Sequence, residues 1–128
     1  GVIEDIYLKD LNRPDEYFAF LETVPGYDVK TADKDSVTYQ SAYIQYQNGR
    51  YSQAEEGFSN YLAKYPNGRN AGSAIFYRAE SYNNDAVKKY DLALNDYDQV
   101  VERGPGRNYA RAAEAAAYLA HDKKDHAK

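Results

Sequence analysis

The chain contains no cysteine, no methionine and no tryptophan. Without cysteine it can form no disulfide, no thiolate metal site and no cysteine nucleophile, and either the cytoplasm or a bacterial periplasm would suit it. Without an initiating methionine, Gly1 reads as a processed or cloning-derived end and the chain as a segment of something longer. No apolar run approaches the roughly 18 residues that a membrane-spanning helix requires. Basic residues are too few and too scattered, 16 against 20 acidic ones, to track a phosphate backbone, which argues against a nucleic-acid partner.

What is present fits one folded domain. The 128 residues, 43% apolar and 28% charged, are enough for a modest core and have the balance of a globular protein. Aromatic content rests on 15 tyrosines, and these are not randomly placed. Moving the stretch "YQNGRYSQAEEGFSNYLAKYPNG" along by 39 residues brings Tyr51 onto Tyr90, Ala54 onto Ala93, Phe58 onto Tyr97 and Pro66 onto Pro105. Both copies read Tyr-x-x-Ala-x-x-x-aromatic, with proline eight residues after the aromatic. A small alanine lets two helices approach and the aromatic fills the space beside it, as in the second half of the tetratricopeptide (TPR) pattern.

Each copy begins with another helix. Tyr39, Ala42, Tyr43 and Tyr46 fall at helical spacing, and Asn48-Gly49 supplies the left-handed residue that ends a helix. Ala79 and Tyr82 do the same for the second copy, but "NNDAVKK" makes its turn without glycine and with about two extra residues. In the second helices Phe58, Tyr61, Leu62 and Tyr65, then Tyr90, Ala93, Leu94, Tyr97, Val100 and Val101, form apolar stripes. A lone hairpin cannot bury such a stripe, so neighbours must stack. After Pro105, "NYARAAEAAAYLA" gives a helix in which Ala115 and Tyr118 take the roles of Ala79 and Tyr82. Towards the start, Ile3, Ile6 and Tyr7, then Tyr17, Phe18, Phe20 and Leu21, give two short helices an apolar side, with Pro14 suited to a first turn. A polar loop from about Pro25 to Asp35 joins them to the rest.

The expected fold is an all-α, TPR-type right-handed α-solenoid of antiparallel helix pairs, about seven helices in all. Its parts are an incomplete N-terminal pair at 2–24, repeats at 36–66 and 70–105, and a partial repeat at 107–128. The stretch "YQSAYIQYQNGRYSQAEEGFSNYLAKYPNGRNAGSAIFYRAESY" resembles the TPR domains of periplasmic Tol–Pal-associated coordinator proteins, and the chain is also similar to long TPR proteins of Bacteroidetes. That resemblance implies a non-catalytic adaptor of the cell envelope, with no cofactor, that binds a protein or peptide segment on a concave face lined by the first helix of each repeat. The residues it points to are Tyr39, Tyr43, Tyr46 and Gln47 in one repeat and Phe76, Glu80, Asn83 and Asn84 in the next. Few basic side chains accompany them, so no carboxylate clamp is expected.

Simpler readings stand beside these. Tyr51, Tyr61, Tyr65, Tyr82, Tyr90 and Tyr97 lie on the apolar stripes and read as packing residues, whereas Tyr39, Tyr43 and Tyr46 suit either packing or a groove. His121 and His126 are five apart, on different helical faces, which rules out a shared metal. "RGPGRN" lacks the strand and the Lys-Ser/Thr of a phosphate loop and reads as a turn between repeats. No acid–base pair marks an enzyme. A tyrosine-lined surface could also stack on sugars, in the manner of glycan-binding outer-membrane lipoproteins, or the repeats could be a spacer that binds nothing. Exposed apolar ends of a severed solenoid would favour self-association.

Overall fold

A computed structural model describes residues 13–26 and 30–126. Among them are six helices and no strand: α1 Pro14–Glu22, α2 Thr31–Gln47, α3 Tyr51–Lys64, α4 Ala71–Tyr82, α5 Tyr90–Glu102 and α6 Tyr109–His126. Each packs on the next in chain order, and α2 also meets α4, so that antiparallel hairpins stack into the expected tetratricopeptide-type solenoid. The helix predicted around Ile3, Ile6 and Tyr7 lies outside the described residues.

Local chemistry sets the helix ends. Pro14 opens α1, where a missing N–H costs nothing, and Asp15 and Glu16 in the first turn favour the positive end of the helix dipole. The predicted loop to Asp35 is shorter than expected, because α2 already begins at Thr31. Its polar first turns are held by tertiary bonds: the Asp35 carboxylate accepts from the Tyr61 hydroxyl at 2.9 Å and from Asn70 Nδ2 at 3.0 Å. Gly49 adopts φ 76° in the α2–α3 turn, and Arg50 N–H closes that turn on the Gln45 carbonyl at 2.9 Å. The longer α4–α5 turn closes in the same way, from Lys89 N–H to the Tyr82 carbonyl at 2.9 Å, with Lys88 in the left-handed conformation at φ 58° where glycine stands in the first turn.

The helices meet through alanine. Ala42, Ala54, Ala79 and Ala93 are completely buried, and Phe58 and Tyr97 fill the space beside them. Two core clusters form, one on each hairpin, and Leu62 and Tyr77 pack against both, which makes the core continuous. Burial of each large aromatic contributes about 2–3 kcal/mol to this stacking.

Two packing expectations need correction. On α6 the buried residues are Ala112, Ala116 and Leu119, while Tyr118 is 70% exposed. Ala116 and Leu119, each 37 residues beyond Ala79 and Tyr82, occupy those roles, and Ala115 packs only at the margin. In a run of near-identical alanines the apolar stripe is fixed by its one branched residue, Leu119, and shifting it by a single position turns Tyr118 outward. Tyr90, 39% exposed, stands at the first position of α5 with no preceding turn to cover it, and its hydroxyl turns to Asp85. Tyr61 and Tyr97 are fully buried, and Tyr51, Tyr65 and Tyr82 half-buried.

Candidate functional site

α2, α4 and α6 lie side by side, and the face they form carries most of the surface tyrosine. Positions 39, 43 and 46 of α2 are one helical ridge, so their rings stack: Tyr39 on Tyr43 with centroids 6.0 Å apart and planes 9° apart, and Tyr43 on Tyr46 at 6.0 Å and 18°. Tyr77 of α4 leans into this ladder, 5.0 Å from both Tyr43 and Tyr46. All four are half-buried, with packed bodies and reachable edges.

Burial holds the protons of Tyr39, Tyr46 and Tyr77 more firmly than usual. Burial, followed by the neighbouring Tyr77, pushes Tyr39 up to about 12. Burial and then the Glu80 carboxylate push Tyr46 up to about 12, and Tyr77 is raised by burial and by Tyr43. Arg107, in the turn before α6, works in the opposite sense on Tyr39 and Tyr77, as does Arg111 of α6 on Tyr46 and Tyr77, so both positive charges are within electrostatic reach of the ladder. At physiological pH Tyr39, Tyr46 and Tyr77 therefore offer neutral hydroxyls as donors and acceptors.

The other sequence-predicted residues are dispersed. Phe76 is 0% exposed, packed against Tyr97 at 6.1 Å and capped by the Arg111 guanidinium 5.4 Å above its ring, so it supports the face from beneath. Glu80 accepts the Tyr97 hydroxyl at 2.8 Å and lies 3.8 Å from Arg111. Asn83 joins Glu80 in a cleft between α4 and α6 of about 350 Å³. Asn84 is occupied by the turn, its side chain accepting from Ala86 N–H and its carbonyl from Val87 and Lys88. Gln47 is exposed at the end of α2. His121 is exposed, and the His126 side chain lies outside the described residues. A larger cleft of about 410 Å³, between α1 and the α2–α3 hairpin, is lined by charged and amide groups, none of them among the predicted residues.

Sequence reasoning overlooked Tyr77, Arg107, Arg111, Glu114 and Tyr118. A signal existed: Arg111, Glu114 and Tyr118 recur at i, i+3 and i+7 on one ridge of α6, and Arg107, in the turn before the helix, continues the spacing. It was hidden because attention followed the positions equivalent to Tyr39, Tyr43 and Tyr46, whereas these residues belong to the neighbouring ridge, which faces the preceding first helix.

Residues 37–68 match the tetratricopeptide repeat family. The matched segment runs along α2, through the Gly49 turn and α3, and includes the buried crossing of Ala42 with Ala54. No curated protein and no solved structure matches the chain. A tetratricopeptide repeat suggests a protein-interaction scaffold, and Tyr39, Tyr43 and Tyr46 belong to the first helix of the matched repeat.

Proposed function

We propose that the face of α2, α4 and α6 holds an extended or helical segment of a partner protein, and that the chain serves as a scaffold. The supporting observation is the Tyr39–Tyr43–Tyr46–Tyr77 cluster, four half-exposed phenols at the meeting of two first helices, with Arg107 and Arg111 within electrostatic reach. Tyrosine and arginine are the side chains that interface centres favour, because each combines apolar area with hydrogen bonding. Segments 36–66 and 70–105 act in this reading as two full repeats, and 107–128 as the beginning of a third. The setting we propose is the bacterial envelope, on the sequence resemblance.

The glycan reading is weaker at the ladder. A sugar stacks on an open ring face, and Tyr43 and Tyr46 each have the Tyr77 ring against them at 5.0 Å, tilted by 58° and 54°.

A partner captured with the 128-residue chain as bait is the reagent for the test. Replacing Tyr43 and Tyr46 together by Ala should weaken its binding by at least about tenfold, in the range of a hot-spot loss. The pair Tyr43→Phe and Tyr46→Phe, which keeps the packing, serves as the folded comparison. Affinity unchanged in a folded Ala variant rejects the face.

A further inference from the structure

The partner face has two crevices built from equivalent positions and filled differently. Between α2 and α4, Tyr43, Tyr46 and Tyr77 close the crevice with rings packed 5.0–6.0 Å apart. Between α4 and α6 the positions 37 residues on are Glu80, Asn83 and Glu114. Short polar groups stand where three rings would, and a cleft of about 350 Å³ stays open beside the exposed Tyr118. Glu80 is occupied by the Tyr97 hydroxyl and Arg111. Glu114 lines the same cleft, and among the described residues no cation pairs with it. A carboxylate beside an open phenol ring is the arrangement that takes a cation, by ion pairing and by the attraction of the ring face.

The other end of the ridge has the opposite sign. Arg107, exposed, lines a smaller cleft together with Arg103, Gly72, Ser73 and Asn108, where α4 and α6 both begin. Among the described residues no carboxylate pairs with Arg107. Arg107 stands in the turn two residues before α6; Glu114 and Tyr118 lie five and nine residues beyond the first helical residue, Tyr109, roughly 8 and 14 Å at 1.5 Å per residue, and the turn adds about 3 Å. An extended segment covers that span in about three to five residues.

Resting on the reading of this face as the partner site, we infer that the partner is a dipolar segment with an acidic and a basic side chain about three to five residues apart: the acid meets Arg107, and the base lies between Glu114 and the ring of Tyr118. Complementary charges at the rim of an interface act on register and direction more than on total affinity. The segment is thereby held in one direction.

Four fluorescein-labelled peptides of equal length test this by anisotropy with the 128-residue chain. One carries Glu and Arg about four residues apart in a Tyr/Ser background, one carries the same two charges adjacent, one carries two Glu and one two Arg. The spaced peptide should bind about five- to tenfold more tightly than the others, and Arg107→Glu or Glu114→Arg should each remove that preference. The double variant, Arg107→Glu with Glu114→Arg, should prefer the peptide with its two charges exchanged. Both positions are exposed, so the variants should stay folded. Equal binding of all four peptides, binding of none, or a double variant with unaltered preference overturns the inference. If the captured partner still requires Tyr43 and Tyr46 under any of those results, the polarity fails alone. Should the tyrosines prove dispensable as well, the face itself is wrong.

Discussion

The guanidinium of Arg78 on α4 donates to both carboxylate oxygens of Asp96 on α5, from Nε at 2.7 Å and from Nη2 at 2.9 Å, while Nη1 reaches the Ser59 hydroxyl of α3 at 3.2 Å. Three helices from two hairpins are joined at one cation. The Asp96 side chain is 2% exposed and that of Arg78 19%. Burial raises the Asp96 carboxyl above its ordinary range in spite of Arg78, and the hydrogen bonds and charge of Asp96 hold the Arg78 proton more firmly in spite of burial.

That asymmetry gives a ranked prediction. Arg78→Met keeps the packing stem but strands a buried carboxylate, and should cost about 3 kcal/mol in urea denaturation. Asp96→Ala leaves an arginine that can reach solvent, and should cost less. The reverse order would mean that the pair is not buried in the way described.

Gly68 is required by close approach. A Cβ there would fall 2.5 Å from the Tyr61 hydroxyl and 2.9 Å from Tyr65 Cβ, and closer still to the Asp35 carboxylate. The same hydroxyl and carboxylate hold Asn70, so a methyl group would have to disturb the whole network that ties the start of α2 to the α3–α4 turn. Gly68→Ala should destabilise by about 1–3 kcal/mol, and a thermal midpoint equal to that of the parent would contradict the contact.

Alkaline pH should act through the tyrosine ladder. Tyr39 and Tyr46 stand at about 12 against an ordinary 10.0, so the folded state holds these protons more tightly than the unfolded chain. Their contribution to stability is therefore complete below pH 10.0 and is lost as pH rises towards about 12. Tyr61 and Tyr97, raised first of all by burial, extend the same trend. Urea midpoints should stay level from neutrality to pH 10.0 and then fall, with tyrosinate absorbance appearing in step with unfolding. Ionisation of Tyr39 and Tyr46 at pH 10.0 in the folded protein would refute their burial.

The hairpin pattern was legible because it rests on steric needs of single residues: alanine at a crossing, an aromatic beside it, glycine at φ 76° in a tight turn. Even the second turn, two residues longer and without glycine, shows in the sequence, although not the use of Lys88 at φ 58° to complete it. The start of α2 was not legible, since Asp35 is stabilised by Tyr61 and Asn70, 26 and 35 residues away. The α6 register was obscured by alanines that differ in no side-chain property. Tyr77 was missed because its value depends on two rings from another helix, a contact across the stack that no single-helix periodicity encodes.

Hydrogen–deuterium exchange on the chain, with and without its captured partner, examines the interaction face most directly. Protection on partner binding should appear in α2 and α4 and around Arg107 to Tyr118, and leave α3 and α5 unaltered. Protection confined to α3 and α5 would place the partner on the opposite side of the stack and contradict the account.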